Sequence, residues 1–289
     1  MAPAYAQRIE EAGMDDLANA GGAGSLADAA TAFRLRVRAG GWTRPTANVV
    51  NGALQANLAV VPAAHAADLA AFCRLNARPC PLLAQSAPGD PRLPTLGADL
   101  SVATDLPAYR VIRDGAPAER VGDLTALWQD DWTAFAIGCS FSFELAMLEA
   151  GLPLRHHTGG RNVPMYVTDR QTVASGPFGG PMVVSMRPLP PQAVETVAAL
   201  CARFPFAHGA PVHVGDPAAL GIADLGAPDF GDPPAGEPGD VPAFWACGVT
   251  LQMALRNARL PLCITHEPGH MLVTDRDAAA PGLEAWRAA

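Results

Sequence analysis

The chain alternates apolar segments of helix or strand length with short breaks rich in Gly and Pro. Residues 26–39 carry apolar side chains at every fourth position, which predicts a helix that Ser25 caps and Gly40 ends. Arg34 and Arg38 then share one face of this helix. The register of the apolar positions therefore places both guanidinium groups on the same side.

Shorter apolar runs predict strands and further helices. The segment 109–115 alternates and ends in Asp-Gly, which is typical of a β-hairpin. Apolar continuity in 181–187 indicates a central strand. The remaining predictions are helices over 5–20, 63–75 and 191–203, and strands over 57–62, 164–168, 244–247, 262–265 and 271–274.

A long apolar stretch over 124–148 is interrupted by Gly138. We interpret it as one helix that ends near Gly138 and a second that starts near Ser140. Backbone N–H groups would be free at this break, which is a site where anions bind.

Strands that alternate with helices indicate the α/β class, with a mixed or parallel sheet covered on both faces. The length of 289 residues, without a low-complexity linker, predicts a single catalytic unit over 1–289 built of two subdomains. We place the main α/β subdomain at 1–130 plus 201–289, and the smaller one at 131–200.

The charge balance restricts the chemistry. A net charge of −8 argues against a nucleic-acid partner, because such binding depends on clustered cations. All 20 basic residues are Arg. The absence of Lys excludes a lysine Schiff base and a P-loop lysine. An anionic substrate must therefore be held by Arg, by backbone N–H groups or by a metal.

The location and redox state follow from other patterns. The N-terminal segment has acids early and no apolar signal core, and no apolar run reaches bilayer length, so we expect a cytoplasmic protein with no membrane partner. We expect reduced thiols, since the cysteines are scattered through apolar contexts without a CxxC pair. They are Cys73, Cys80, Cys139, Cys201, Cys247 and Cys263.

The segment 138–144 places a thiol, two hydroxyls and a carboxylate within two helical turns. Ser140 and Glu144 would share one helical face, and Cys139 would lie at the N-terminal end, where the helix dipole lowers the pKa of a thiol. A nucleophile or an anion-binding turn could be built this way. Burial of Cys139 as a small core residue is the alternative.

Two imidazoles and a carboxylate lie together in the segment 208–216. Pro211 prevents a regular helix, so His208 and His213 would converge with Asp216 from a loop. They are candidates for general base, general acid or metal ligands. Asp216 could instead cap the segment that follows it.

The letters of 266–270 match the zinc-protease pattern H-E-x-x-H, but Pro268 and Gly269 break the helix that this motif requires. We therefore exclude a zinc protease. His266 and His270 remain candidates for proton transfer or hydrogen bonding.

Three polar residues are candidates for binding the substrate. Arg161, Asn162 and Arg187 occur at a strand start and a strand end. Guanidinium groups bind carboxylates through two hydrogen bonds, so the two arginines are candidate clamps. Internal ion pairs are the alternative.

From Arg34 to Asp275 the chain resembles the D-glutamate cyclase family, whose bacterial members are often labelled hydro-lyases. The segments that carry the resemblance are 55–58, 72–76, 80–83, 104–110, 138–144, 163–166, 183–188, 208–213, 244–250, 264–266 and 268–271. The resemblance implies a three-layer α/β fold with a smaller α+β part. It also implies loss of water from D-glutamate to give 5-oxo-D-proline.

That reaction needs a base for the ammonium, an acid for the departing oxygen and donors for the oxyanion. We expect Arg161 and Arg187 to bind the carboxylates of the substrate, with Asn162 and His266 beside them. His208 or His213 would be the base, and Glu144 or His270 the acid. The backbone around Cys139 and Ser140 would form the oxyanion site.

Two alternatives stay open from the sequence. A metal-assisted hydro-lyase acting on a hydroxy acid would use His208, His213 and Asp216 to hold a divalent ion. A non-catalytic protein that binds a small carboxylate is the other. The cyclase interpretation requires no cofactor, and a homo-oligomer is the usual expectation for such an enzyme.

Overall fold

The computed structural model describes residues 25–157, 161–280 and 283. The helix predicted over 5–20 lies outside these ranges. The described helices are α1 (Leu26–Arg38), α2 (Ala66–Leu75), α3 (Glu144–Glu149), α4 (Val194–Cys201) and α5 (Val249–Ala258). None of them is long and apolar enough to cross a membrane.

The larger sheet has the strand order β2-β5-β1-β10-β3-β4, and β11 pairs with β1. One edge of β1 pairs with β5, whereas the other edge is shared by β10 and β11. The strands are β1 (Ala53–Pro62), β2 (Leu82–Gln85), β3 (Tyr109–Arg113), β4 (Ala116–Val121), β5 (Trp132–Gly138), β10 (Cys263–His266) and β11 (Leu272–Asp277).

A second sheet has the order β6-β7-β9-β8. Its strands are β6 (Met165–Gln171), β7 (Pro181–Leu189), β8 (His213–Val214) and β9 (Val241–Ala246). β7 is an internal strand, as its apolar continuity predicts. The registered strand pairs of both sheets are antiparallel, so the alternation of helices and strands does not here mean a parallel sheet.

The α/β class is confirmed, and β1 shows how the layers form. Leu58 and Val60 point into a core shared with Trp245 of the second sheet. Ala59 and Val61 point the other way, into a core that α2 and α5 complete. Because successive side chains alternate between faces, a strand buried on both sides reads as a continuous apolar run.

The apolar segment 124–148 does not contain the first of the two helices predicted for it. Residues Trp132–Gly138 form β5 between β2 and β1, and not the end of a helix. Gly138 is required for packing, since a Cβ there would overlap the carbonyl oxygen of Phe206. The prediction of a helical start near Ser140 is confirmed: a 3-10 helix over Ser140–Phe143 leads directly into α3.

A buried ion-pair network attaches α1 to the larger sheet. Arg34 is fully buried and contacts Asp99 at 2.5 Å and Asp275 at 2.7 Å. The predicted shared face is confirmed, because Arg38 reaches Asp99 at 3.1 Å and Asp105 at 2.6 Å. Ser25 caps α1 in a reciprocal capping box with Asp28.

We expect the substitution Arg34→Met to lower the free energy of unfolding by about 2–3 kcal/mol, because it removes the buried guanidinium that pairs with Asp99 and Asp275, while Arg38 still pairs with Asp105. Denaturant unfolding measures the effect. The control Arg36→Met removes an exposed arginine of the same helix, which contacts the Gly41 carbonyl oxygen and the Trp42 ring, and should change stability by less than about 1 kcal/mol. Equal effects of the two substitutions would contradict the role of Arg34.

Candidate active site

The Glu144 carboxylate is the centre of a buried polar group. Its Oε1 accepts a hydrogen bond from Arg187 Nη2 at 2.5 Å and lies 3.1 Å from His156 Nε2. Its Oε2 lies 2.8 Å from His157 Nε2. Arg187 Nη2 also donates to Ser140 Oγ at 3.1 Å. We call these five residues the Glu144 cluster.

The cluster is assembled from three parts of the chain. After β5 the 3-10 helix and the first turn of α3 carry Ser140 and Glu144, one helical turn apart. A separate 3-10 turn, Arg155–His157, brings in the two imidazoles. Arg187 lies on β7 of the second sheet, opposite Ala243 of β9. The cluster therefore bridges the two sheets.

Aromatic rings surround the Arg187 guanidinium. Its Cζ lies 5.3 Å from the ring centroids of both Phe143 and Trp245. Its Nη1 lies 3.4 Å from Ser185 Oγ. Cation–π attraction of this kind offsets part of the cost of removing the charge from water.

The protonation states follow from burial and from neighbouring charge. Burial alone would raise the pKa of Glu144, but the interactions with His156, Arg187 and His157 hold that pKa well below its usual value. Burial lowers the pKa of His156 to about 4, although the negative charge of Glu144 acts to raise it. At neutral pH the cluster therefore contains an ionised Glu144, a charged Arg187 and a neutral His156.

A small cavity borders Glu144. Its volume is about 10 Å³, and Gln55, Phe141 and Leu145 line it together with the segment 48–53. This is room for about one water molecule. In that segment Val50 has a φ of 46°, a strained conformation for a β-branched residue.

Three buried polar atoms, one in the wall of this small cavity and two in the Glu144 cluster, have no hydrogen-bond partner in the described part of the chain. They are Gln55 Oε1, His157 Nδ1 and Arg187 Nε. Buried polar atoms are normally paired, so unpaired ones indicate where a water or a ligand binds. The cluster thus has an unpartnered ring nitrogen on His157 and an unused donor on Arg187.

Cys139 precedes the 3-10 helix and is buried. The expectation that the helix dipole lowers its pKa is wrong, because burial raises the pKa of this thiol well above its usual value. Cys139 is therefore a protonated thiol packed beside Phe141 in an apolar cluster.

The structure does not bring the metal-binding atoms of His208, His213 and Asp216 into one group, although His213 Nε2 lies 2.7 Å from the backbone carbonyl oxygen of Asp216. His208 is buried, its Nδ1 lies 2.8 Å from the Arg78 carbonyl oxygen, and burial, with the Arg187 charge contributing, lowers its pKa to about 4. His213 pairs with Phe244 and so lies on the opposite face of the second sheet from Arg187, which pairs with Ala243.

Asp216 takes the capping role that the sequence left open. Its Oδ1 accepts from the backbone N–H of Ala218 at 3.0 Å. In the described ranges the group of His, Cys, Asp and Glu side chains that could hold a metal ion consists of Glu144, His156 and His157. The alternative metal set of His208, His213 and Asp216 is therefore wrong.

His266 and His270 lie on a strand end and the turn after it, as their Pro-Gly break predicts. His266 is buried on β10, its Nδ1 accepts from the Leu58 backbone N–H at 3.2 Å, and burial lowers its pKa to about 4. The His270 ring nitrogens face the carbonyl oxygens of Pro268 and Thr43. Neither imidazole contacts the Glu144 cluster in the hydrogen bonds of the described residues.

Of the polar residues before β6, Arg161 is exposed and reaches the Pro233 carbonyl oxygen at 3.4 Å. Asn162 lines a larger cavity than the one at Glu144. The backbone N–H of Arg161 donates to the carbonyl of His156 at 3.1 Å. The turn that carries the imidazoles therefore ends beside Asn162.

Our sequence interpretation missed His156 and His157. The signal was present, because two adjacent imidazoles follow Glu144 by twelve and thirteen residues, in a segment framed by Leu-Pro-Leu and Gly-Gly. Contact with a carboxylate on another element could not be read from this spacing. Ser140, Glu144 and Arg187 are the sequence candidates that the fold brings together.

A family model described as D-glutamate cyclase matches residues 133–275. A protein of Jannaschia sp. named "Putative hydro-lyase" is 54% identical over 259 residues, which cover 89% of this chain and 97% of that protein. A protein of Bordetella pertussis with the same type of name is 56% identical over 253 residues, covering 87% and 91%. One of Paraburkholderia phymatum is 54% identical over 243 residues, covering 84% and 95%.

Among solved structures, a nitrogen repressor-like protein of Methanococcus jannaschii covers 86% of this chain at 8% identity and a TM-score of 0.36, which does not establish a shared fold. The match of the family model spans the whole Glu144 cluster. With relatives more than half identical over most of both chains, this protein belongs to the D-glutamate cyclase family.

Proposed function

We propose that this enzyme is a carbon–oxygen hydro-lyase that removes water from a small amino acid, converting D-glutamate to 5-oxo-D-proline. The family match and the names of the relatives support the class of reaction. The observation that carries the assignment to the Glu144 cluster is its chemistry: an ionised carboxylate, a neutral imidazole and a guanidinium in one buried place.

The atoms of this reaction balance without a co-reactant. The amine nitrogen attacks the γ-carboxyl carbon, a C–N bond forms and a C–O bond breaks. The ammonium loses two protons in all, and the departing oxygen leaves with both as water. The site must therefore move protons from nitrogen to oxygen and stabilise the tetrahedral oxyanion in between.

The cluster offers a group for each of these tasks. With Nε2 directed at Glu144, the unpartnered Nδ1 of His157 is the basic nitrogen that can take a proton from the ammonium. The Glu144 carboxylate connects His157 to His156 and can relay that proton. The Arg187 guanidinium, which has an unused N–H, can stabilise the oxyanion.

Glutamate does not fit the cavity of about 10 Å³ at Glu144. The reactive complex therefore requires part of the wall to move, and burial of the substrate afterwards would exclude water from the reaction. Such closure strengthens the interaction of the guanidinium with a developing negative charge.

We expect Glu144→Gln to reduce turnover of D-glutamate by at least about 10²-fold, because the substitution keeps the shape of the side chain but removes the proton relay. Chiral chromatography with mass detection of 5-oxoproline measures the rate. Glu149→Gln, an exposed acid at the end of the same helix, is the control and should keep the wild-type rate. Near-normal turnover by folded Glu144→Gln protein would rule out the cluster.

The ring of His156 should stay neutral far below its ordinary pKa. Since burial places that pKa at about 4, this imidazole stays uncharged until the pH approaches that value. We expect the NMR signals of the His156 ring, identified by their loss in His156→Gln, to show no titration from pH 8 down to about 5.5. Circular dichroism at each pH separates titration from unfolding. A midpoint near 6.5, the ordinary value for histidine, would contradict a low pKa.

A metal-assisted reaction is the second candidate, because the ligand atoms of Glu144, His156 and His157 lie within 4.8 Å of one another. A divalent ion there would act as a Lewis acid on the departing oxygen. The contact of Arg187 with Glu144 Oε1 opposes this candidate, since the guanidinium already balances the carboxylate charge.

We expect turnover to survive dialysis against a chelator, with substoichiometric metal in the purified protein by mass spectrometry. The physical reason is that Arg187 already balances the negative charge of Glu144, so the carboxylate needs no metal ion. Loss of activity on chelation, restored by one divalent ion, would establish the metal-assisted reaction in its place.

A further inference from the structure

A second cavity, of about 450 Å³, lies among β3, β4, α5 and the segment 229–231. This volume is in the range of small-molecule sites, and the cavity shares no lining residue with the small one at Glu144. Both cavities border one apolar cluster, through Phe230 here and through Phe141 there. The polar groups of the larger cavity are Arg110, Asn162, Asp229, Gln252, Arg256 and Glu267.

One side of this cavity presents hydrogen-bond donors. Gln252 and Arg256 are one turn apart on α5 and so lie on the same helical face. Gln252 is buried, and its Nε2 donates to the carbonyl of His266 at 3.0 Å, which fixes the amide. Within the described ranges no carboxylate lies close enough to Arg256 to form an ion pair. An unpaired guanidinium that lines a cavity is suited to a ligand carboxylate.

Other groups of the cavity are acceptors. Asn162 Oδ1 is buried and has no hydrogen-bond partner among the described residues. Asp229 accepts the Val167 backbone N–H through Oδ2 at 2.8 Å. The Glu267 carboxylate already pairs with Arg110, at 2.6 and 2.9 Å. Asn162 and Asp229 therefore offer a place for a positively charged donor.

We infer that this cavity binds a small zwitterionic amino acid. Arg256 holds the carboxylate, and Asn162 Oδ1 with Asp229 holds the ammonium. Ile112, Phe230 and Pro268 provide apolar surface for the remainder of the ligand. This inference does not depend on the proposed reaction, because none of its residues belongs to the Glu144 cluster.

Isothermal titration with glutamate, glutarate and 1,4-diaminobutane tests the inference. We expect glutamate to bind the wild-type protein, and both one-sided probes to bind at least about tenfold more weakly, because each lacks one of the charged groups. Arg256→Gln should weaken glutamate binding by at least about tenfold. The control is Arg113→Gln, which should bind glutamate as the wild type does, because Arg113 is an exposed arginine of the β3–β4 hairpin and does not line the cavity.

The substitution Asn162→Ala tests the contact with the ammonium group of the ligand alone. It should weaken the binding of glutamate and leave the weaker binding of glutarate unchanged, since only the ammonium contacts Asn162. Hydrogen exchange should slow in 229–231 and 252–256 when glutamate is added. Wild-type affinity in Arg256→Gln, or no glutamate binding to the wild-type protein at millimolar concentration, would overturn the inference.

The test of the larger cavity and the test of the proposed reaction can fail separately. Glu144→Gln tests turnover, whereas Arg256→Gln tests binding in the larger cavity. Glutamate binding that persists in Glu144→Gln and is lost when Arg256→Gln is added to that variant supports the second site. Binding that is lost in Glu144→Gln and kept in Arg256→Gln would assign the ligand to the Glu144 cluster alone and refute it.

Discussion

Glu144 and Arg187 form a buried ion pair between two sheets, and the candidate site depends on this contact. The carboxylate follows β5 of the larger sheet, whereas the guanidinium belongs to β7 of the second. Neither charge would be stable in this interior alone, because an unpaired buried ion costs several kcal/mol. The pair, with Ser140 and the rings of Phe143 and Trp245, allows both charges to remain out of water.

The same pair determines what the histidines can do. With Arg187 supplying the positive charge, His156 need not be protonated to satisfy Glu144, and burial favours its uncharged form. A neutral imidazole against a carboxylate can accept and pass on a proton. The fold thus provides a basic site in an interior from which a free charge would be expelled.

The sequence predicts much of this fold because its periodicity is physical. Helix α1, the hairpin at Asp114-Gly115 and the central strand β7 follow from spacing that one buried face imposes. The run that contains β5 was misread, since a strand buried on both faces and a buried helix are equally apolar. Only pairing with β1 and β2 decides between them, and pairing is not a local property.

In the candidate site, too, local spacing predicts some contacts and not others. Ser140 and Glu144 could be linked from sequence because they are one turn apart, and Arg187 stood out as a guanidinium within an apolar strand. His156 and His157 approach Glu144 from a separate turn, so no spacing rule connects them. His213 shows the opposite case, a candidate that the fold separates from the cluster. It pairs with Phe244, one residue along β9 from the partner of Arg187, and therefore lies on the other face of the sheet.

Burial of neutral imidazoles also lowers the stability of the folded protein at acid pH. His156, His208 and His266 each have a pKa of about 4 in the folded protein, and about 6.5 once they are exposed to water. Between these values the unfolded chain binds more protons, so stability falls as the pH falls through this window. Glu144, whose pKa is lowered, adds to the loss in the same direction at still lower pH. His156 belongs both to this set and to the Glu144 cluster, so the proton that would inactivate the site also favours unfolding.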